Sequence, residues 1–190
     1  IFMNNLARVY KSDKTIFTAK DLALIWREGN MNNLKSKINY YVQKGDLINL
    51  RKGIFAKDET YDRNELAVSI YTPSYISFET ALRYHGMIFQ HYESIFAASY
   101  LKRTIDCSSQ KIIYRKLKNE LLYDKESLID KGHYMIASKE RAFLDMIYLF
   151  NNYYFDNIHG IDWQHCFDLV KIYENKSLIK RLNSYYKNNK

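Results

Sequence analysis

The feature that most restricts the possible folds is the segment 47–57, in which two short runs of strand-forming residues are joined by a basic turn. Leu47–Leu50 and Ile54–Lys57 have the length of short strands, and Arg51–Gly53 between them is typical of a hairpin turn. Gly45 lies just before them, where a helix that ends in a left-handed residue favours glycine. The sequence therefore predicts a helix that leads directly into a β-hairpin with a basic tip.

Three helical patterns precede this hairpin. The first covers residues 3–11, and the third runs from about Asn32 to Lys44. The second runs to Trp26 from Thr18, which has Asp21 three residues later, the spacing of a capping pair. Three helices and a basic-tipped hairpin are the order of a winged helix-turn-helix, whose third helix enters the major groove of DNA. The alternative is a small helical domain whose hairpin only caps its core.

The outward face of the third helix is polar, basic and without carboxylates when Leu34 and Ile38 turn inward. A helix that reads base edges presents such a face, and Arg51 and Lys52 at the hairpin tip can reach a phosphate or the minor groove. The predicted DNA-binding residues are Asn33, Lys35, Ser36, Lys37, Asn39, Tyr40, Lys44, Arg51 and Lys52.

The net charge of +8 is concentrated at both ends of the chain. Residues 1–57 carry 11 Lys/Arg against 4 Asp/Glu, residues 58–170 carry 12 against 16, and residues 171–190 carry 6 against 1. A basic module of this size indicates a phosphate backbone as partner. The alternative is a solvated, Lys-rich surface.

The remainder of the chain predicts a short polar linker at residues 58–64 and a larger mixed domain at residues 65–190, so the fold class is α+β. This part of the sequence contains both helical and strand patterns and shows no internal repeat. The predicted helices are 65–71, 77–85 with Ser77 as cap, 138–150 with Ser138 as cap, and a last helical region from Asp162 through Tyr186; the predicted strands are 94–100, 111–117 and 134–136.

The C-terminal helical region is basic as well as amphipathic. We expect a terminal helix that packs on the domain with a solvated basic side; the functional alternative is a second electropositive surface, for flanking DNA or for an acidic or nucleotide-handling partner. The residues of this secondary basic surface are Lys176, Lys180, Arg181 and Lys187.

Three stretches together resemble the AbiEi family, the antitoxin half of type IV abortive-infection toxin–antitoxin systems. They are GDLINLRKGIFA at Gly45–Ala56, PSYISFETALRYHG at Pro73–Gly86 and IASKERAFLDMIY at Ile136–Tyr148. The middle stretch is the most specific, and the resemblance spans roughly residues 18–150 in the family's order. It departs from the pattern at Thr80, where Ser is more usual.

This resemblance implies two activities. One is repression of the protein's own operon by operator binding through the N-terminal module. The other is neutralisation of a nucleotidyltransferase toxin by the C-terminal domain, without a requirement for direct contact. The alternatives are a stand-alone winged-helix transcriptional regulator, or a protein-interaction module without a toxin partner. Monomers and pairing on DNA both stay open.

No catalytic residue, metal site or cofactor is predicted. Tyr75, Ser77, Glu79 and His85 are expected to be structural, since Ser77 and His85 lie at opposite ends of one helix, about 12 Å apart. Glu140 is expected to form an ion pair with Arg141 within the domain. A nuclease or transferase is disfavoured because clusters of carboxylates or metal ligands are missing.

Three residues form the only grouping that resembles metal ligands, and their spacing matches no metal site: His159, His165 and Cys166. Cys107 and Cys166 lie far apart and are expected to be free thiols in a reducing cytoplasm. No apolar run reaches the roughly 18 residues of a membrane span. We therefore expect a cytoplasmic protein without a membrane partner.

Overall fold

The structure, a computed structural model, describes residues 5–189, and its fold is mixed α+β with two sheets. The chain divides into two compact units. The first comprises the described residues up to Ile70 together with Cys107–Ser109, and the second comprises Tyr71–Asp106 and the described residues from Gln110 onward. Within the described residues, no helix is both long and apolar enough to cross a membrane.

The first unit contains four helices and a three-stranded antiparallel sheet in the order β1-β3-β2. Its elements are α1 (Asn5–Tyr10), β1 (Ile16–Thr18), α2 (Ala19–Trp26), α3 (Met31–Gln43), β2 (Ile48–Arg51), β3 (Ile54–Ala56) and α4 (Arg63–Ile70). The helix predicted at residues 3–11 began at Met3 and Asn4, which lie outside the described residues.

The caps of these helices follow from the sequence. Thr18 and Asp21 form the predicted capping box of α2, each side chain accepting a hydrogen bond from the other residue's backbone N–H. The side chain of Asn30 accepts hydrogen bonds from the first turn of α3. Gly45 has the predicted left-handed backbone, with φ of 76°. The ends of the second and third helices are therefore fixed by local chemistry.

Strand β1 was not predicted. It has only three residues, Ile16 to Thr18, and its pattern merges with the start of α2. It becomes a strand because β3 pairs with it, Ile16 opposite Ala56 and Thr18 opposite Ile54. Phe17 then joins the core of the first unit. That core consists of Val9, Phe17, Leu22, Trp26, Leu34, Ile38, Leu47 and Phe55.

Helix α4 belongs to the first unit, to which the buried carboxylate of Glu65 attaches it by hydrogen bonds. Oε2 of Glu65 accepts hydrogen bonds from the backbone N and Oγ1 of Thr15, at 2.9 and 2.6 Å. The predicted linker at residues 58–64 had placed this helix in the larger domain. In the structure, the boundary between the units falls after Ile70.

The second unit is built around a six-stranded mixed sheet in the order β6-β7-β5-β4-β9-β8. Its strands are β4 (Ser74–Ile76), β5 (Ile95–Ser99), β6 (Arg103–Cys107), β7 (Gln110–Lys116), β8 (Leu128–Asp130) and β9 (Met135–Ala137). Its helices are α5 (Phe78–Tyr84), α6 (Asn119–Tyr123), α7 (Lys139–Leu149), α8 (Trp163–Leu169) and α9 (Lys176–Asn188), with a short 3₁₀ helix at Val170–Tyr173.

Helix α7 is the centre of this unit. Residues 141–147 are all buried, and α5, α8 and α9 pack around the helix. Ser138 caps it as predicted, accepting a hydrogen bond from the backbone N–H of Arg141. Ser77 is the N-cap residue of α5, as predicted, but its hydroxyl makes no capping bond and donates instead to Asp145 of α7, at 2.7 Å.

Candidate nucleic-acid interface

One face of α3 is solvent-exposed and carries amide, hydroxyl and ammonium groups. Leu34 and Ile38 are buried on the opposite face, which fixes how the helix is rotated about its axis. Lys44 follows the helix as its C-cap and is exposed. The predicted residues that this face exposes are Asn33, Lys35, Ser36, Asn39 and Tyr40.

Lys37 differs from its predicted neighbours because it is half-buried. Its Nζ lies 3.1 Å from Oε2 of Glu28 and 5.7 Å from the ring centre of Trp26. The backbone N–H of Asn30 and the ammonium of Lys37 lower the pKa of Glu28. Lys37 therefore ties the turn between α2 and α3 to the helix, and its charge is partly neutralised.

Lys44 and Tyr40 form a second pair at the end of α3. Nζ of Lys44 lies 4.7 Å from the ring centre of Tyr40. A hydrogen bond with the Tyr40 hydroxyl raises the pKa of Lys44, so the ammonium keeps its charge at neutral pH. The pair presents a cation beside an exposed aromatic ring.

The hairpin between β2 and β3 exposes Lys52 and half-buries Arg51 at its tip. Gly53 has φ of 77°, a conformation that glycine adopts without steric cost. The carbonyl of Gly53 accepts a hydrogen bond from the backbone N–H of Ala19, at 3.0 Å. This bond holds the basic turn against the N-terminus of α2.

Two exposed cations near these elements were missed from the sequence. Lys20 lies in the first turn of α2, next to the residue that binds Gly53. Arg27 is the left-handed C-cap of α2, with φ of 53°. The sequence signal for Lys20 is its position in the first turn of a helix. A cation there interacts unfavourably with the helix dipole, which suggests a role other than helix stability.

The carboxylates nearest these cations in sequence are already engaged. Burial raises the pKa of Asp21, but hydrogen bonds from Thr18 and the ammonium of Lys14 outweigh that effect and leave the pKa below its ordinary value. Glu28 is paired with Lys37. Helix α3 itself contains no Asp or Glu. An anionic ligand on its exposed face would therefore meet ammonium and amide groups.

The secondary basic surface lies on α9. Lys176, Lys180 and Lys187 are exposed. Arg181 is half-buried, and its Nη1 donates to the carbonyls of Ile147 and Tyr148, at 2.6 and 2.9 Å. The helix packs through the buried Leu178 and Leu182, as expected for a terminal amphipathic helix.

Two of the three stretches that carry the resemblance, Pro73–Gly86 and Ile136–Tyr148, meet in the interior of the second unit. Strand β4 pairs with β9 in parallel, Ile76 opposite Ile136. The carboxylate of Asp145 accepts hydrogen bonds from the hydroxyls of Tyr75, Ser77 and Tyr173, at 2.9, 2.7 and 2.7 Å. Burial raises the pKa of Asp145, while Arg141 and these hydroxyl groups oppose the rise.

The predicted ion pair between Glu140 and Arg141 is wrong. Arg141 is buried and faces Asp145 one helical turn away, with Nε 3.6 Å from Oδ1. Adjacent residues on a helix point in directions about 100° apart, so Glu140 faces elsewhere and accepts a bond from the backbone N–H of Asp162.

The other polar residues of the middle motif also have partners in the fold. Glu79 forms a two-pronged ion pair with Arg115, both contacts at 2.6 Å. Nε2 of His85 lies 2.9 Å from the carbonyl oxygen of Ala137. Ser77 therefore contacts α7 through Asp145, and His85 contacts β9 through Ala137. These bonds attach the middle motif to the rest of the second unit.

In the part of the chain that the structure describes, no three His, Cys, Asp or Glu side chains lie close enough together to bind a metal ion. Nε2 of His165 lies 2.8 Å from Oγ of Ser127. Cys107 and Cys166 are buried free thiols, as predicted, and burial raises the pKa of both.

The chain matches no known protein-family model, and a search of curated proteins likewise found no match.

Proposed function

We propose that the first unit is a winged helix-turn-helix that binds double-stranded DNA, with α3 as the recognition helix and the hairpin of β2 and β3 as the wing. The observation that carries this proposal is the exposed, carboxylate-free face of α3. The order of elements supports it, because α1, α2 and α3 precede a hairpin whose second strand pairs with β1.

The chemistry of α3 suits the major groove. A helix with its side chains is about 10–12 Å across, which fits the major groove of about 12 Å, and the 13 residues of α3 extend about 20 Å along it. Asn33 and Asn39 carry the amide that pairs with the edge of adenine, and Lys35 can donate to guanine or to a phosphate. Lys20, Lys44 and Lys52 are then phosphate contacts, which fix position without reading sequence.

We further propose that the chain is the antitoxin of a type IV toxin–antitoxin system in the cytoplasm. It would repress its own operon through the first unit and counteract a nucleotidyltransferase toxin through the second. This part depends on the resemblance of Pro73–Gly86 and Ile136–Tyr148 to the AbiEi family. The buried hydrogen bonds between these two stretches give their polar residues a structural role in the second unit. We propose no catalytic role for them.

A second candidate is that the first unit binds another protein. Leu24 of α2 and Met31 of α3 are 78% and 59% exposed, and such apolar groups favour a protein contact. Binding of this kind would be tight and nearly independent of salt, whereas binding to phosphates weakens as salt is added.

Charge reversal on the exposed face of α3 tests the DNA proposal. Gel shifts with DNA from upstream of the gene should show that Lys35→Glu and Lys52→Glu each weaken binding by at least about tenfold, since each removes an attractive contact and adds a repulsive one. Lys118→Glu makes the same charge change at an exposed position of the second unit and should bind like wild type. Equal binding by all three variants would rule out this interface.

A further inference from the structure

The second unit contains an open cavity of about 530 Å³ between the segment 151–154 and one side of α9. Its volume is within the range of small-molecule sites, roughly 300–1,000 Å³. The walls carry amide, phenol and cationic groups and no carboxylate. They are formed by Asn151, Asn152, Tyr153, Tyr154, Lys180, Arg181, Ser184, Tyr185 and Asn188.

Two hydrogen bonds between Tyr185 and the backbone of Tyr153 hold the aromatic wall of this cavity in place. The Tyr185 hydroxyl accepts a hydrogen bond from the backbone N–H of Tyr153 and donates one to its carbonyl, at 3.0 and 2.6 Å. Tyr154, the next residue, is nevertheless 81% exposed. The backbone beside Tyr154 is therefore fixed, while the Tyr154 ring projects into solvent, where a flat ligand can stack on it.

The cationic wall is also organised in advance. Two N–H groups of Arg181 bind the carbonyls of Ile147 and Tyr148, which fixes the plane of its guanidinium. The guanidinium has five N–H donors in all, so three are left for an anion. Lys180 beside it is exposed. The two cations thus line one side of the cavity, and the tyrosines of the segment 151–154 line the other.

A smaller cavity of about 340 Å³ adjoins the same tyrosines, because Tyr153 and Tyr154 line both. Phe89 lines this second cavity and is 71% exposed, with its backbone N–H donating to Oδ2 of Asp156 at 2.7 Å. Asp156 makes this side unfavourable for an anion. A ligand that spans the tyrosines is therefore oriented, with its negative charge toward α9.

We propose that this cavity binds a nucleotide, whose base stacks on Tyr154 and whose phosphate contacts Lys180 and Arg181. Stacking on aromatic rings combined with backbone contacts to cations is how proteins hold unpaired nucleotides. The nucleotide can be a free mononucleotide or part of an unpaired RNA strand. The inference goes beyond operator binding by the first unit, because the cavity lies wholly within the second.

Fluorescence anisotropy with the full-length chain tests this site and separates the two sources. The probes are labelled adenosine monophosphate and a labelled ten-nucleotide adenosine RNA. Binding of both assigns the site to nucleotides generally, and binding of the RNA alone assigns it to unpaired strands. Tyr154→Ala should weaken binding at least about fivefold, while Tyr154→Phe keeps the ring and should bind within about twofold of wild type. Lys180→Ala should lower the salt slope of RNA binding by about 0.7.

Tyr123→Ala is the matched control, since Tyr123 is 70% exposed in the same unit but lines neither cavity. It should bind like wild type. The proposal is overturned if neither probe binds, or if Tyr154→Ala and Tyr123→Ala bind equally well. Lys35→Glu changes the first unit and should leave the binding of both probes within about twofold of wild type, so failure of the DNA proposal is distinguishable from failure of this one.

Discussion

Asp145 is a fully buried carboxylate that accepts three hydroxyl hydrogen bonds and faces a fully buried arginine. The transfer of such a charge from water costs several kcal/mol unless partners replace the water. Tyr75 and Ser77 come from β4 and the residue that follows it, and Tyr173 comes from the 3₁₀ helix, so the carboxylate links these two parts of the second unit to α7.

Replacement of Asp145 by asparagine should destabilise the protein by about 3–5 kcal/mol. The buried guanidinium of Arg141 would lose its counter-charge, and breaking a buried pair from one side carries a cost of that size. Urea unfolding followed by circular dichroism measures the change. Asp168→Asn is the control, because Asp168 and Lys171 form an exposed pair, and its unfolding curve should match wild type. Equal unfolding midpoints for both variants would contradict this role of Asp145.

This cluster could not be predicted from the sequence, because Tyr75 and Asp145 are 70 positions apart. The sequence identified Ser77 and Arg141 as structural residues but gave them local partners, a helix cap and a neighbouring glutamate. Their real partners come from long-range packing. The resemblance to a family selected the same residues without indicating that they contact one another.

At the scale of elements, the entry to α2 depends on the capping box of Thr18 and Asp21. The pKa of Asp21 in the folded protein lies below its ordinary value. A depressed carboxylate pKa stabilises the fold fully above the unfolded-state value, about pH 4, and the contribution is lost as the pH falls through the folded-state pKa.

Asp21→Asn should therefore reduce the loss of stability on acidification. Its free energy of unfolding should be lower than that of wild type at pH 7, and the two should converge once the pH falls below the folded-state pKa of Asp21, where the wild-type carboxylate is protonated as well. Urea unfolding at a series of pH values gives this comparison. A constant difference between the two proteins over the whole pH range would refute the assignment.

The elements that the sequence predicted are those with local determinants. Helices α2, α3 and α7 have caps and apolar spacing, and β5 and β7 each contain an apolar run, Ile95–Ala98 and Ile112–Tyr114, so all five were anticipated within a few residues. Strands β1, β4 and β8 have three residues each, and pairing with β3, β5 and β9 defines them. Their own residues are too few to show a strand period.

The exposed face of α3 was predicted well for the same reason, since Leu34 and Ile38 fix the rotation of the helix. The exception on α3 is Lys37, which pairs with Glu28, and the cation missed on α2 is Lys20, which follows the residue whose backbone N–H binds Gly53. Both depend on the arrangement of α2 against its neighbours, which no local pattern encodes.

At the scale of the whole molecule, positive charge at the ends of the chain coincides with the two proposed ligand sites. Residues 1–57 form most of the first unit, and residues 171–190 include α9. The intervening residues have more acidic than basic side chains. We therefore propose duplex DNA as the ligand of one basic region and nucleotides as the ligand of the other.

The most direct test of the central claim is the salt dependence of binding between the full-length chain and DNA from upstream of its gene. If Lys20, Lys35, Lys44 and Lys52 each neutralise one phosphate, the logarithm of the association constant should fall with the logarithm of salt concentration, with a slope of about −3.6. Binding would then weaken roughly 150-fold between 50 and 200 mM salt. An affinity that stays constant over this range would contradict DNA binding and favour a protein partner.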